Sequence, residues 1–208
     1  MISRRSLLGG AATLTLLTAC GGSESEAPAQ LGEGTGFHGT RVSDGPALPE
    51  AVLTDQQGEE FNLATGIATP VAMVFFGYTN CPDVCPGIMA DMATARRRLD
   101  PADAEKVSLV LVTTDPARDT PEALGEYLAR VDDAFIGLTG DLDAILVVGR
   151  QLGIAIDKGK ELPSGGYEVD HSTQILAFDD RRRMALVWSQ PSIADMRDDL
   201  ERLLAEIG

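Results

Sequence analysis

Pro70-Val71-Ala72-Met73-Val74-Phe75-Phe76-Gly77-Tyr78-Thr79-Asn80-Cys81-Pro82-Asp83-Val84-Cys85-Pro86 is the stretch on which the reading of this chain turns. Its first seven residues form a continuous apolar run, the signature of a strand buried on both faces. A helical pattern follows over roughly Val84 to Leu99 and ends in Arg96, Arg97 and Arg98, whose charge suits the negative end of the helix dipole. Asp83 is placed to cap that helix, and Pro86 falls in its first turn, where a missing N–H costs nothing. A buried strand that runs into a helix through a short loop opens an α/β sheet, and such loops are where the sites of these sheets are built.

Downstream, the alternation continues. Val107 to Thr113 reads as a second buried strand, and Thr120-Pro121-Glu122 opens a helix to about Val131 with an N-cap, a first-turn proline and an early acid. Phe135 to Leu138 is strand-like, Asp141 caps a third helix that ends near Gly153, and Gly159 to Tyr167 reads as a loop. Thr173 to Phe178 and Met184 to Trp188 form a strand pair across Asp179 to Arg182. Ser192 caps a last helix, to about Ile207, with Ile193, Met196, Leu200, Leu203 and Leu204 on one face. Upstream, Ala51-Val52-Leu53 and Glu60-Phe61-Asn62 flank the turn Asp55-Gln56-Gln57-Gly58 and predict a small hairpin. The fold class is therefore α/β: a thioredoxin-like layout with a central mixed sheet flanked by helices and an extra N-terminal β-hairpin. No internal repeat is evident.

The N-terminal end has a different character. Arg4 and Arg5 precede an apolar stretch from Leu7 to Leu17, and Leu17-Thr18-Ala19-Cys20 then places small residues before a cysteine. Residues 1–19 read as a secretory signal too short for an ordinary spanning helix, ending at a motif that resembles a bacterial lipobox with Cys20 as the lipidated residue. Ser3-Arg4-Arg5-Ser6-Leu7-Leu8 also resembles a twin-arginine signal, although paired arginines are common in ordinary export signals. Residues 20–43, rich in Gly, Ser, Glu, Ala and Pro over their first part, read as a lipidated flexible tether, and 44–208 as the folded domain. The expected location is exported, anchored by lipid to the outer face of the bacterial cytoplasmic membrane. The formal charge of −15 argues against nucleic-acid partners, which need clustered Lys and Arg.

With Cys20 committed to lipid, the mature chain keeps two cysteines, Cys81 and Cys85. Their spacing is one residue longer than the redox C-x-x-C. On a helix, positions four apart share a face, so both sulfurs can address one metal ion. A reversible disulfide, or two inert structural thiols, are the other readings of the pair. A helix N-terminus is expected to lower the pKa of both thiols. Two thiolates leave a metal short of ligands, and the chain has two histidines. His38 lies in the expected tether and reads as a solvated bystander, whereas His171 lies in Tyr167-Glu168-Val169-Asp170-His171-Ser172, just before an apolar strand. Two soft thiolates and one imidazole suit copper, as Cu(I) or Cu(II), better than structural zinc, which prefers four closed protein ligands. Asp170 is a candidate to orient the imidazole.

Three motifs in this order resemble the Sco/SenC family: Phe76-Gly77-Tyr78-Thr79 with Cys81-Pro82-Asp83-Val84-Cys85-Pro86, then Asp115-Pro116-Ala117-Arg118-Asp119-Thr120-Pro121-Glu122, then Val169-Asp170-His171-Ser172. The resemblance spans about Ala47 to the C-terminus. It implies a thioredoxin-like fold, a copper ion held by Cys81, Cys85 and His171, and a role in assembling the dinuclear copper centre of cytochrome c oxidase. The implied partners are the copper-site subunit of that oxidase or another copper chaperone, together with the membrane. It implies no chemistry for Asp115 to Glu122, which is expected to shape the fold near the site. The chain departs from the family in a short Gly-rich loop before His171 and in Arg181-Arg182-Arg183, where a small turn residue is more usual. The leading expectation is a metallochaperone rather than a turnover enzyme. A thiol–disulfide reductase that keeps a partner's cysteines reduced would use the same cysteines without His171. A peroxiredoxin-like peroxidase shares the fold but is poorly served by C-x-x-x-C.

Overall fold

Eleven strands and five helices follow one another along the described residues, which in this computed structural model are 30–32, 36–82, 84–161 and 167–208. In chain order they are β1 (Gln30–Gly32), β2 (Thr40–Ser43), β3 (Val52–Asp55), β4 (Glu60–Asn62) and β5 (Val71–Gly77). There follow α1 (Val84–Arg97), α2 (Pro101–Ala104), β6 (Val107–Thr113), α3 (Pro121–Val131), β7 (Phe135–Thr139) and α4 (Leu142–Gln151). The last are β8 (Ile156–Glu161), β9 (Tyr167–His171), β10 (Ile175–Phe178), β11 (Met184–Trp188) and α5 (Ile193–Ile207).

Nine strands make one mixed sheet in the order β1-β2-β11-β10-β5-β6-β7-β3-β4. The middle of the sheet is parallel, β5 with β6 and β6 with β7, and the flanks are antiparallel. Every residue of β5 is buried, as its unbroken apolar run predicts. Alternate β5 residues serve two cores. Val71, Met73 and Phe75 face α1, α3 and α5, while Ala72, Val74 and Phe76 face α4 and the segment through Leu63 and Ile67. Helices thus cover both faces, α1, α3 and α5 on one with the short α2 beside them, and α4 on the other. Each large apolar side chain sealed here contributes about 1.5–3 kcal/mol of transfer free energy.

The helix starts are legible in their caps. Thr120 accepts from the Ala123 N–H at 3.3 Å with Pro121 behind it, and Asp141 accepts from the Ala144 N–H at 3.1 Å. Ser192 and Asp195 exchange hydrogen bonds in a capping box on α5. The predicted cap of α1, Asp83, lies outside the described residues.

Several expectations are corrected. The expected hairpin of β3 and β4 does form, and Thr54 and Asp55 pair with Thr139 and Leu138, so it extends the sheet beyond β7. The tether expected over 20–43 includes sheet strands, since Thr40 and Arg41 pair with Val187 and Leu186 of β11, and β1 pairs with β2. The cause is the pattern hidden in Thr40-Arg41-Val42-Ser43, where Val42 turns inward to 7% exposure. His38, expected to be a bystander, is fixed as well. Its N–H and that of Gly39 donate to the two oxygens of Asp199 at 2.8 Å each, and Trp188 Nε1 donates to the same carboxylate at 2.7 Å. The His38 ring stands 3.4 Å from an Asp195 oxygen and 3.9 Å from one of Asp198. Glycine is required at 39, because a Cβ there would fall 2.5 Å from the Trp188 ring. Of the loop expected over Gly159 to Tyr167, Gly159 to Glu161 end β8 and Tyr167 begins β9, which places His171 in a strand, while residues 162–166 lie outside the described ones.

Arg181 to Arg183 also find their explanation. Arg182 sits in the left-handed region at φ 59° and donates from its guanidinium to the carbonyls of Thr69 at 2.9 Å and Ile67 at 2.6 Å. Arg183 donates to the Asp44 carbonyl at 3.2 Å. Two of the three arginines therefore brace neighbouring loops.

Candidate metal centre

β5 ends at Gly77, and the chain turns through Tyr78 to Pro82 before α1 begins at Val84. The turn is closed by the Cys81 N–H, which donates to the Tyr78 carbonyl at 3.3 Å. Cys81 is half-buried, and Cys85, in the first turn of α1, is wholly buried. Both are thiols, with no disulfide between them, and the two side chains are hydrogen-bonded. Gly77 makes room for this arrangement: a Cβ there would stand 2.6 Å from the Phe75 ring and 3.3 Å from the Cys85 sulfur.

A second strand end and the segment after it hold the cysteine loop in place. The Thr114 N–H donates to the Gly77 carbonyl at 2.8 Å. Asp119 is fully buried, yet its carboxylate is well supplied. It accepts from the Thr79 N–H at 3.0 Å, from Thr79 Oγ1 at 2.5 Å and from Thr113 Oγ1 at 2.6 Å. Asp115, also fully buried, pairs with Arg118, whose guanidinium lies over the Tyr78 ring 5.9 Å from its centre. The Asp115–Glu122 motif thus shapes the ground beneath the cysteines. Within it, Asp119 is the residue whose part sequence reasoning missed; its only signal was membership of a quoted motif.

The acidity of Cys85 departs from expectation. Burial pushes the Cys85 thiol up to about 12, assisted by the neighbouring Cys81 and opposed by a hydrogen bond from the Tyr78 backbone. Helix-dipole stabilisation is worth typically 0.3–1 kcal/mol. A rise of that size corresponds to about 4 kcal/mol against ionisation. Desolvation therefore decides the state of Cys85, because its side chain points into the core rather than along the helix axis. Tyr127 on α3 is pushed up to about 12 too, by burial first and then by the charges of Cys85, Cys81 and Asp119.

The backbone brings His171 toward the same end of the sheet. β10 runs antiparallel to β5 with Ile175 opposite Phe75, so the residues just before Ile175 lie where β5 gives way to the cysteine loop. Thr173 and Ile175 join Val84, Gly87 and Ile88 around a cavity of about 310 Å³ beside the start of α1. His171 stands two residues before Thr173, within about 7 Å of chain. Its backbone is anchored by pairing with Ile156 and by the Ser172 N–H, which donates to the Ala155 carbonyl at 3.1 Å. The side chains of His171 and Asp170 lie outside the described ones, as does Cys20. Among the described side chains no group of three or more His, Cys, Asp or Glu residues is gathered for a metal. The two sulfurs form the described part of the expected ligand set. No helix among the described residues is long and apolar enough to cross a membrane.

Comparison with known proteins fits this geometry. The family model described as SCO1/SenC matches residues 48–205. A Stutzerimonas stutzeri protein, provisionally named as copper-binding, is 37% identical over 126 residues, which cover 61% of this chain and 61% of that protein. The chain thus spans less than two thirds of the length of that curated relative. The Bradyrhizobium japonicum ScoI structure with copper bound is 30% identical at a TM-score of 0.67, covering 77% of this chain and 99% of that one. A lipoprotein of the same family from Bacillus anthracis is 25% identical at a TM-score of 0.65, covering 77% of this chain and 96% of that one. The thioredoxin-like layout expected from the sequence is the fold observed.

Proposed function

The chain belongs to the SCO1/SenC family, and from that premise we propose that it is a copper metallochaperone whose ligands are Cys81, Cys85 and His171. The reading is carried by one observation: two thiols four residues apart, hydrogen-bonded to each other at a strand-to-helix turn. The S₂N donor set is soft and suits Cu(I), and the position of His171 in the backbone supports it as the third ligand. Copper-bound structures of relatives support the choice of ion. Loading exchanges thiol protons for the metal, so two protons leave as one copper ion enters. An oxidised pair cannot ligate, and the dithiol state therefore gates loading.

The recipient, on this reading, is the dinuclear copper centre of cytochrome c oxidase, which the protein supplies with copper or helps to assemble. The protein works on the outer face of the bacterial cytoplasmic membrane, held there through lipid on Cys20. The lipoprotein among its structural relatives supports that anchoring.

Copper stoichiometry and visible spectra of the full chain and of Cys81→Ala, Cys85→Ala and His171→Ala test the site. Near-stoichiometric copper in the parent and its loss in all three variants is the expected result. Unchanged affinity in His171→Ala would refute the three-ligand site. Reduction of a partner's disulfide that survives His171→Ala but neither cysteine change would identify a thiol–disulfide reductase instead.

A further inference from the structure

One polar atom beside the cysteines has no role in the site so far described. The Tyr127 hydroxyl oxygen is buried and has no hydrogen-bond partner among the described residues. Buried phenols ordinarily find one. Tyr127 shares a face of α3 with Leu124 and Leu128, and it packs against the same apolar cluster that contains Cys85 and is bordered by Cys81. The helix that carries it packs on α1 and begins just after Asp119, the residue that grips the cysteine loop through Thr79. α3 therefore approaches the cysteine loop both at its start, through Asp119, and along the face that carries Tyr127.

In the metal-free protein the sulfur beside this phenol is a thiol, a weak acceptor. A sulfur that has released its proton to solvent on binding a metal is a stronger one, and a charge-assisted bond to it is correspondingly tighter. We propose that the Tyr127 hydroxyl donates a hydrogen bond to a thiolate of the Cys81–Cys85 pair when the pair holds copper, and so tunes the ion it holds. The inference rests on the copper reading given above. Tyr127 is a positioning and tuning residue: it supplies no ligand atom. Its bond draws electron density from the ligand sulfur, which raises the copper potential and favours Cu(I).

Tyr127→Phe in the full chain tests this, with the metal-free and the copper-loaded forms measured side by side. The metal-free variant should unfold at the parent's temperature or above it, because no bond is lost there. In the copper-loaded variant the thiolate-to-copper absorption band should shift and the Cu(II)/Cu(I) potential should fall. A band and potential equal to the parent's overturn the proposal. So does a lowered unfolding temperature without metal, which would show that the hydroxyl already has a partner. If the parent itself shows no thiolate-to-copper band, the copper reading fails first and this inference goes with it.

Discussion

Cys85 shows how a single direction of a side chain can reverse an expectation drawn from position. Its place in the first turn of a helix argues for a thiolate, and its burial keeps it a thiol with a pKa near 12 against an ordinary 9.0. The consequence for stability has a definite sign. Below pH 9 the thiol is protonated in folded and unfolded chains alike, and the shift costs nothing. Between about 9 and 12 the unfolded chain has lost the proton that the folded chain still holds, so the metal-free protein loses stability as pH rises, by up to about 4 kcal/mol. Denaturant midpoints measured from pH 8 to 11 should fall more steeply for the parent than for Cys85→Ser. Parallel curves would show that Cys85 is not the group responsible. The cysteine pair was legible in the motif because spacing is a property of sequence. Its protonation state was not, since it depends on which way the first turn of α1 faces. Nor were Asp119 and Tyr127, whose meaning comes from neighbours distant along the chain.

At the scale of elements, long apolar segments were read well and short polar ones poorly. β5, β6 and the five-residue β11 announce themselves by composition, and α3, α4 and α5 by their caps. β2 does not, because one inward Val42 is its only apolar mark and Gly-rich sequence surrounds it. What secures the segment before β2 is Asp199, buried on the apolar face of α5, where sequence reasoning counted Met196, Leu200, Leu203 and Leu204 as the face. A carboxylate there is tolerable because three N–H donors meet it, two from the arm at His38 and Gly39 and one from Trp188. Asp199→Ala leaves those neutral donors unmatched and should cost about 1–3 kcal/mol or more. Urea unfolding followed by Trp188 fluorescence should show the lower midpoint, and a change under about 1 kcal/mol would mean that the arm is held by other contacts.

Over the whole molecule, the described strands form a nine-stranded sheet and a separate two-stranded one, and the division has thermodynamic content. β5 and β6 lie in the middle of the large sheet, between two apolar clusters, and their amides should exchange with solvent only on global unfolding. β8 and β9 pair only with each other, and an isolated hairpin is marginal by itself. Hydrogen exchange read by mass spectrometry should find the β8–β9 amides at least about tenfold faster than those of β5. Equal protection would show that the hairpin opens only with the rest. The central layout was legible because parallel strands and their crossover helices need long apolar runs. The hairpin was not, because Ile156 to Glu161 and Tyr167 to His171 carry charge and glycine where strand signals are sought.

That small ladder sets the order in which the molecule comes apart. Cys85 belongs to the apolar cluster of the large sheet and Cys81 borders it, whereas His171 lies on the small ladder, which is expected to open first. On the three-ligand reading, surrender of the ion is a local event, governed by a two-stranded ladder and one imidazole rather than by the stability of the domain. A recipient has only to outcompete that one arm, and the dithiol seat remains folded behind it to be filled again.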